Sequence, residues 1–95
     1  MIYQKNKVSI TYMKRLDKEN LKEFGQIVKA IRVSKSESLN NIAFSRGGVT
    51  SATLSRIENA QVDFKFSTLL KLAHTLDVSL IDLFKDFECR NTYDD

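Results

Sequence analysis

The chain has 95 residues, 42% of them hydrophobic, which sets the scale at one small domain with a modest core. One cysteine, Cys89, and one histidine, His74, exclude an internal disulfide, a cysteine-based zinc site and a histidine metal cluster. A formal charge of +3 and a pI of about 9.1 are compatible with a nucleic-acid partner without demanding one.

The charge is unevenly placed. Residues 1–16 carry Lys5, Lys7, Lys14 and Arg15 and no acid, which is +4. Residues 86–95 carry Asp86, Glu88, Asp94 and Asp95 against Arg90, which is −3. A basic head and an acidic tail point to the head or middle as the face toward a partner. No apolar run approaches the ~20 residues of a membrane span, and the N-terminus lacks the apolar stretch of a signal peptide. A cytoplasmic protein is expected, with no membrane partner. Nothing calls for a cofactor or a metal. A lone histidine cannot carry a Ser/His/Asp arrangement, and the paired Asp94 and Asp95 sit in a tail where nothing raises one pKa. An enzyme is not expected.

Val8, Ile10 and Tyr12 share one parity, with Lys7, Ser9 and Thr11 between them, a strand-like alternation. A single strand needs a partner, so residues 1–16 read equally as a basic arm, disordered on its own, or as a short strand exchanged with a second chain. Met13 is an alternative start, which would make residues 1–12 an upstream extension.

A first helix is expected from about Asp17 to Ser34. Asp17 would be the N-cap, with Leu16 and Leu21 as a hydrophobic staple. Leu21, Phe24, Ile27, Val28 and Ile31 recur at helical spacing and form its buried face. Gly25 inside it costs helix propensity and permits close packing. Arg32 near its end suits the helix dipole.

A second helix follows over about Ser38 to Arg46, with Leu39, Ile42 and Ala43 inward. Gly47 and Gly48 end it. Thr50 caps a third helix, with Val49 and Leu54 as its staple. Leu54 and Ile57 share its inner stripe, while Ser51, Ala52, Ser55 and Arg56 point elsewhere. Small residues at its front let this helix come close to a surface.

Asn59 to Lys65 reads as a loop. A fourth helix over about Phe66 to Leu76 is apolar round much of its circumference, so a central position is expected. Asp77-Val78 breaks the pattern. Ser79 caps a fifth helix with Asp82 at its third position, and Leu80, Ile81, Leu83, Phe84 and Phe87 follow. The plan is all-α: an N-terminal basic arm or strand at 1–16, a helical domain at 17–87 and an acidic tail at 88–95.

At this point the residues resemble a known family. The run Ile42-Ala43, Gly48-Val49, Leu54-Ser55-Arg56-Ile57-Glu58-Asn59, Thr68-Leu69-Leu70-Lys71-Leu72-Ala73, Leu76-Asp77-Val78-Ser79 and Leu83-Phe84 resembles the Cro/CI-type helix-turn-helix domain. Phage repressors, restriction–modification controller proteins and antitoxins share it. The resemblance covers about residues 21–85 and implies a compact five-helix, lambda-repressor-like fold. It makes residues 38–46 the positioning helix and 50–59 the recognition helix, whose N-terminal residues face base edges in the major groove. Carried over by position, Ser51, Ala52 and Arg56 face bases, with Thr50 and Asn59 near phosphates; by their own placement Ser38, Thr53 and Arg46 are further candidates for contact with the DNA backbone. Arg56 has the planar fork that suits guanine O6 and N7. The resemblance also implies a structural ion pair between Arg32 and Glu58.

Three departures stand out. Five residues, Phe44 to Gly48, separate Ala43 from Val49 where the family commonly has four. Leu39 replaces a glutamine that often touches DNA, and Lys65 replaces a usual serine cap. The implied function is a sequence-specific, double-stranded-DNA-binding transcription regulator, a repressor or autoregulator, acting as a homodimer; the apolar Ile81, Phe84 or Phe87 of the fifth helix, more than a small monomer should bury, are the expected dimer surface. The alternative is an antitoxin or other protein-interaction module, with a toxin as partner and DNA binding secondary.

Overall fold

The computed structural model describes the backbone of residues 3–88 and the side chains of residues 17–88. Every regular element among them is a helix: α1 (Tyr3–Ser34), α2 (Leu39–Arg46), α3 (Ser51–Glu58), α4 (Phe66–Leu76) and α5 (Leu80–Phe84). The all-α expectation holds, and its first boundary is corrected. Helix α1 begins at Tyr3, so Asp17 lies inside it and the Val8, Ile10 and Tyr12 alternation rides on a helix, not on a strand. A lone strand has unpaired backbone groups, whereas a helix satisfies its own. No glycine or proline interrupts residues 3–24, so nothing halts propagation back through Asp17. Residues 89–95 of the acidic tail lie outside the described residues, as do the side chains of Lys5, Lys7, Lys14 and Arg15.

Helix α1 packs on α3, α2 on α3 and α4, and α5 on α4. The core joins Phe24 and Val28 of α1, Ile42 of α2, Val49, Leu54 and Ile57 around α3, Leu72, Ala73 and Leu76 of α4, and Leu83 of α5. Ile31, Leu39, Val62 and Phe64 pack against it from the edge. Gly25 marks the crossing of α1 over α3. A Cβ there would come within 2.5 Å of the Ile57 carbonyl oxygen and 2.7 Å of that of Glu58. Only a residue without a Cβ lets the backbones meet so closely.

Helix α4 is less enclosed than its composition suggests. Leu72, Thr75 and Leu76 are fully buried, but Phe66 is 68% exposed and Leu70 is also open. Helices α1, α2, α3 and α5 leave that outer stripe of α4 uncovered. Helix α5 ends at Phe84, and Phe87 follows it in the chain. Phe84 and Phe87 both turn onto Phe24, at ring-centroid distances of 5.4 and 5.9 Å.

Candidate nucleic-acid interface

Side-chain caps begin both central helices. The Ser38 hydroxyl accepts the Asn41 amide at 3.1 Å, and the Thr50 hydroxyl accepts the Thr53 amide at 3.1 Å. The Thr50 hydroxyl also donates to the Thr53 hydroxyl at 3.1 Å. Each cap meets one orphan donor of the first turn and leaves the other amides and the positive dipole end at the surface.

The turn between the helices passes through two glycines in conformations other residues avoid. Gly47 has φ 73° and Gly48 has φ 95°. Gly47 borders open space, whereas a Cβ on Gly48 would collide with the Thr75 hydroxyl and lie 2.7 Å from the Lys71 carbonyl oxygen. Thr75 holds this turn. Its fully buried hydroxyl accepts the Val49 amide at 2.9 Å. Its single hydrogen faces the Gly47 carbonyl at 2.5 Å and the Lys71 carbonyl at 3.0 Å.

A second clamp lies beside it. Arg46 Nε donates to the His74 carbonyl at 3.0 Å, and Nη2 pairs with Asp77 Oδ1 at 3.0 Å. In return, His74 Nε2 donates to the Arg46 carbonyl at 3.0 Å. A carbonyl only accepts, so Nε2 carries the ring hydrogen. Asp77 is in the left-handed conformation at the end of α4 (φ 59°, ψ 48°).

Behind α3, Arg32 grips Glu58 with two bonds, Nε to Oε2 at 2.7 Å and Nη2 to Oε1 at 2.9 Å. Its Nη1 donates to the Glu37 carbonyl at 2.8 Å, which ties in the start of α2. Both side chains are nearly enclosed, 11% and 4% exposed. The hydrogen bond to Glu58 raises the Arg32 pKa above the ordinary arginine range; burial works against it and the Glu58 charge adds to it. The planar fork matches the carboxylate and fixes the end of α1 against the end of α3.

The outer face of α3 presents Ala52 and Arg56 as exposed residues, with Ser51, Thr53 and Ser55 half-buried beside them. Asn59 turns back on the helix, its Nδ2 donating to the Ser55 carbonyl at 2.9 Å. Of the three arginines whose side chains are described, Arg32 is bound to Glu58 and Arg46 to Asp77. Among the described residues no hydrogen bond or ion pair engages the Arg56 side chain. From Ser38 to Ile57 the chain carries no acidic residue, so this surface has no carboxylate of its own.

Ser38 and Thr50 thus stand at the starts of α2 and α3, Thr50 and Ser51 border one depression with Phe44, and Ala52 and Arg56 lie one turn apart on the exposed face of α3. The fold turns Arg46 toward α4, and sets Arg32 with Glu58 behind. Ile81 stands 80% exposed on α5, away from the aromatic contacts that take up Phe84 and Phe87. Thr75 escaped the sequence reading. The available signal was a hydroxyl on the same stripe as Leu72 and Leu76, in a chain with two adjacent glycines to be held.

Two capped helices across a fixed turn, the second held from behind and offering one free arginine, define a helix-turn-helix DNA-binding domain. Residues 44–83 match the family model described as helix-turn-helix, a segment that runs from α2 into α5. That match supports a helix-turn-helix domain of the Cro/CI type over these residues, a DNA-binding fold of transcription regulators. No curated protein and no solved structure matches the chain. Among the described residues no helix is long and apolar enough to cross a membrane.

Proposed function

We propose that the protein is a sequence-specific regulator of transcription, acting as a repressor or autoregulator and binding duplex DNA as a homodimer. The observation that carries this reading is Arg56. It is the one described arginine left unengaged, and it projects from α3 with Ser51 and Ala52 ahead of it. Arg56 reads a guanine, Ser51 a neighbouring base, and Ala52 permits close approach. Ser38, Thr50 and Thr53 supply hydroxyls to phosphates, which position the helix without reading sequence. Asn59 lies at the far end of α3, where a phosphate contact adds to the same set. Arg46 acts here as a positioning residue, because its guanidinium already joins α2 to α4. Dimerisation through Ile81, with the edge of Phe84, places two such helices about one DNA turn apart.

The test is a comparison of two DNAs. Selection from random duplexes with the full chain yields an operator. Arg56→Ala then weakens operator binding by about ten-fold or more, from a pair worth ~1–3 kcal/mol, and weakens binding to random duplex far less. Equal losses on both DNAs remove Arg56 from the base-reading set. A second reading, an antitoxin-like module with a protein partner such as a toxin, draws on the exposed Ile81, Phe66 and Leu70. A stable co-purifying protein together with only weak operator binding selects it.

A further inference from the structure

Phe44 has 92% of its surface open, more than any other large apolar side chain among the described residues. The ring contacts among the described residues join Phe24, Phe64, Phe84 and Phe87 and do not involve it. A phenyl ring held in water opposes the hydrophobic driving force and adds nothing to this core. Its place is specific. Phe44 lies one turn after Asn40 on α2, so the two share a stripe. Asn40, Ala43, Phe44, Thr50 and Ser51 together bound one shallow depression, which sets the ring beside the first residues of α3. No acidic residue lines that depression. Phe44 is also the first of the five residues between Ala43 and Val49.

A surface that faces the major groove meets donors, acceptors and one apolar feature, the C5-methyl group of a pyrimidine. A phenyl ring can neither donate nor accept in the manner of Asn40 or Ser51, so it can recognise only that feature. We infer that Phe44 is a specificity-determining residue that packs against the 5-methyl group of a pyrimidine, next to the bases met by Ser51 and Arg56. The inference rests on the DNA-binding reading above. Two bases carry this methyl group, thymine and 5-methylcytosine, and the experiment separates them.

The full-length protein and its Phe44→Ala and Phe44→Leu variants are titrated with the selected operator. Each thymine is replaced in turn by uracil, which removes the methyl alone, and each cytosine by 5-methylcytosine. If thymine is the ligand, uracil at one position per half-site weakens the unaltered protein about fourfold, the worth of one buried methyl-sized group. If methylated cytosine is the ligand, methylation at one position strengthens binding by a similar factor. In either case Phe44→Ala loses the response and Phe44→Leu keeps part of it, with thermal unfolding unchanged in both. Operator binding in which the unaltered protein and Phe44→Ala respond alike at every position overturns the inference and leaves the DNA-binding reading standing. Failure to bind any duplex overturns both.

Discussion

Thr75→Val is a sharp perturbation of the turn that sets α3 against α2. Valine nearly reproduces the shape of threonine and removes only the hydroxyl. The Val49 amide is then left buried without its 2.9 Å acceptor, and the Gly47 carbonyl loses its donor. A buried unsatisfied polar group costs about 1–3 kcal/mol. The carbonyl is only partly enclosed, so a total near 2–4 kcal/mol is expected. For a domain of this size that lowers the melting temperature by about 10–20 °C. Thr75→Ser separates this from packing, because it keeps the hydroxyl and deletes a methyl for about 1 kcal/mol. Urea unfolding followed by circular dichroism measures both, and equal m-values would show that the unfolded states are comparable. Thr75→Val should also weaken operator binding at temperatures where it remains folded, since the angle of α3 relaxes. A valine variant as stable as the serine variant would refute the account of the turn.

Other outcomes follow from the same geometry. Arg32→Ala should cost about 3–5 kcal/mol, because it strands the enclosed Glu58 carboxylate. The Arg32 pKa is raised by Glu58, so its contribution is complete at neutral pH and is lost as pH rises through that raised value. The stability difference between the unaltered protein and Arg32→Ala should therefore stay flat from about pH 7 to 10 in denaturant titrations; a steep decline over that range would contradict the pairing. Gly47→Ala should cost about 1–3 kcal/mol from backbone conformation alone. Gly48→Ala should cost distinctly more, because its Cβ also strikes the Lys71 carbonyl and the Thr75 hydroxyl; equal costs would show that the turn yields. Ile81→Asp should convert a dimer to a monomer in analytical ultracentrifugation with little loss of stability, since the side chain is 80% exposed.

Much of the helical plan could be read along the chain because its signals are local. Ser38, Thr50 and Ser79 are caps by chemistry and by position, and each accepts an amide three residues on. The glycines at 47 and 48 announced a turn, and the spacing of Phe24, Val28, Ile42, Leu54 and Ile57 announced the inner faces. The N-terminal segment misled for the opposite reason: three alternating residues are too few to decide a period, and helix propagation from a neighbouring segment overrode them. The apolar girth of α4 misled as well. Composition cannot tell which of several apolar stripes the other helices will cover, and the stripe of Phe66 and Leu70 stayed open.

The sequence by itself determined which residues could read DNA, because donor geometry and charge belong to the side chain. It named three arginines as candidates for different work. Tertiary structure decided their roles. Folding brings Glu58 to Arg32 across 26 positions and Asp77 to Arg46 across 31, and leaves Arg56 without a partner among the described residues. It also places Thr75 under the turn 26 positions away and sets Phe44 beside Thr50 and Ser51. Such pairings depend on how helices cross, and local propensity carries no information about that.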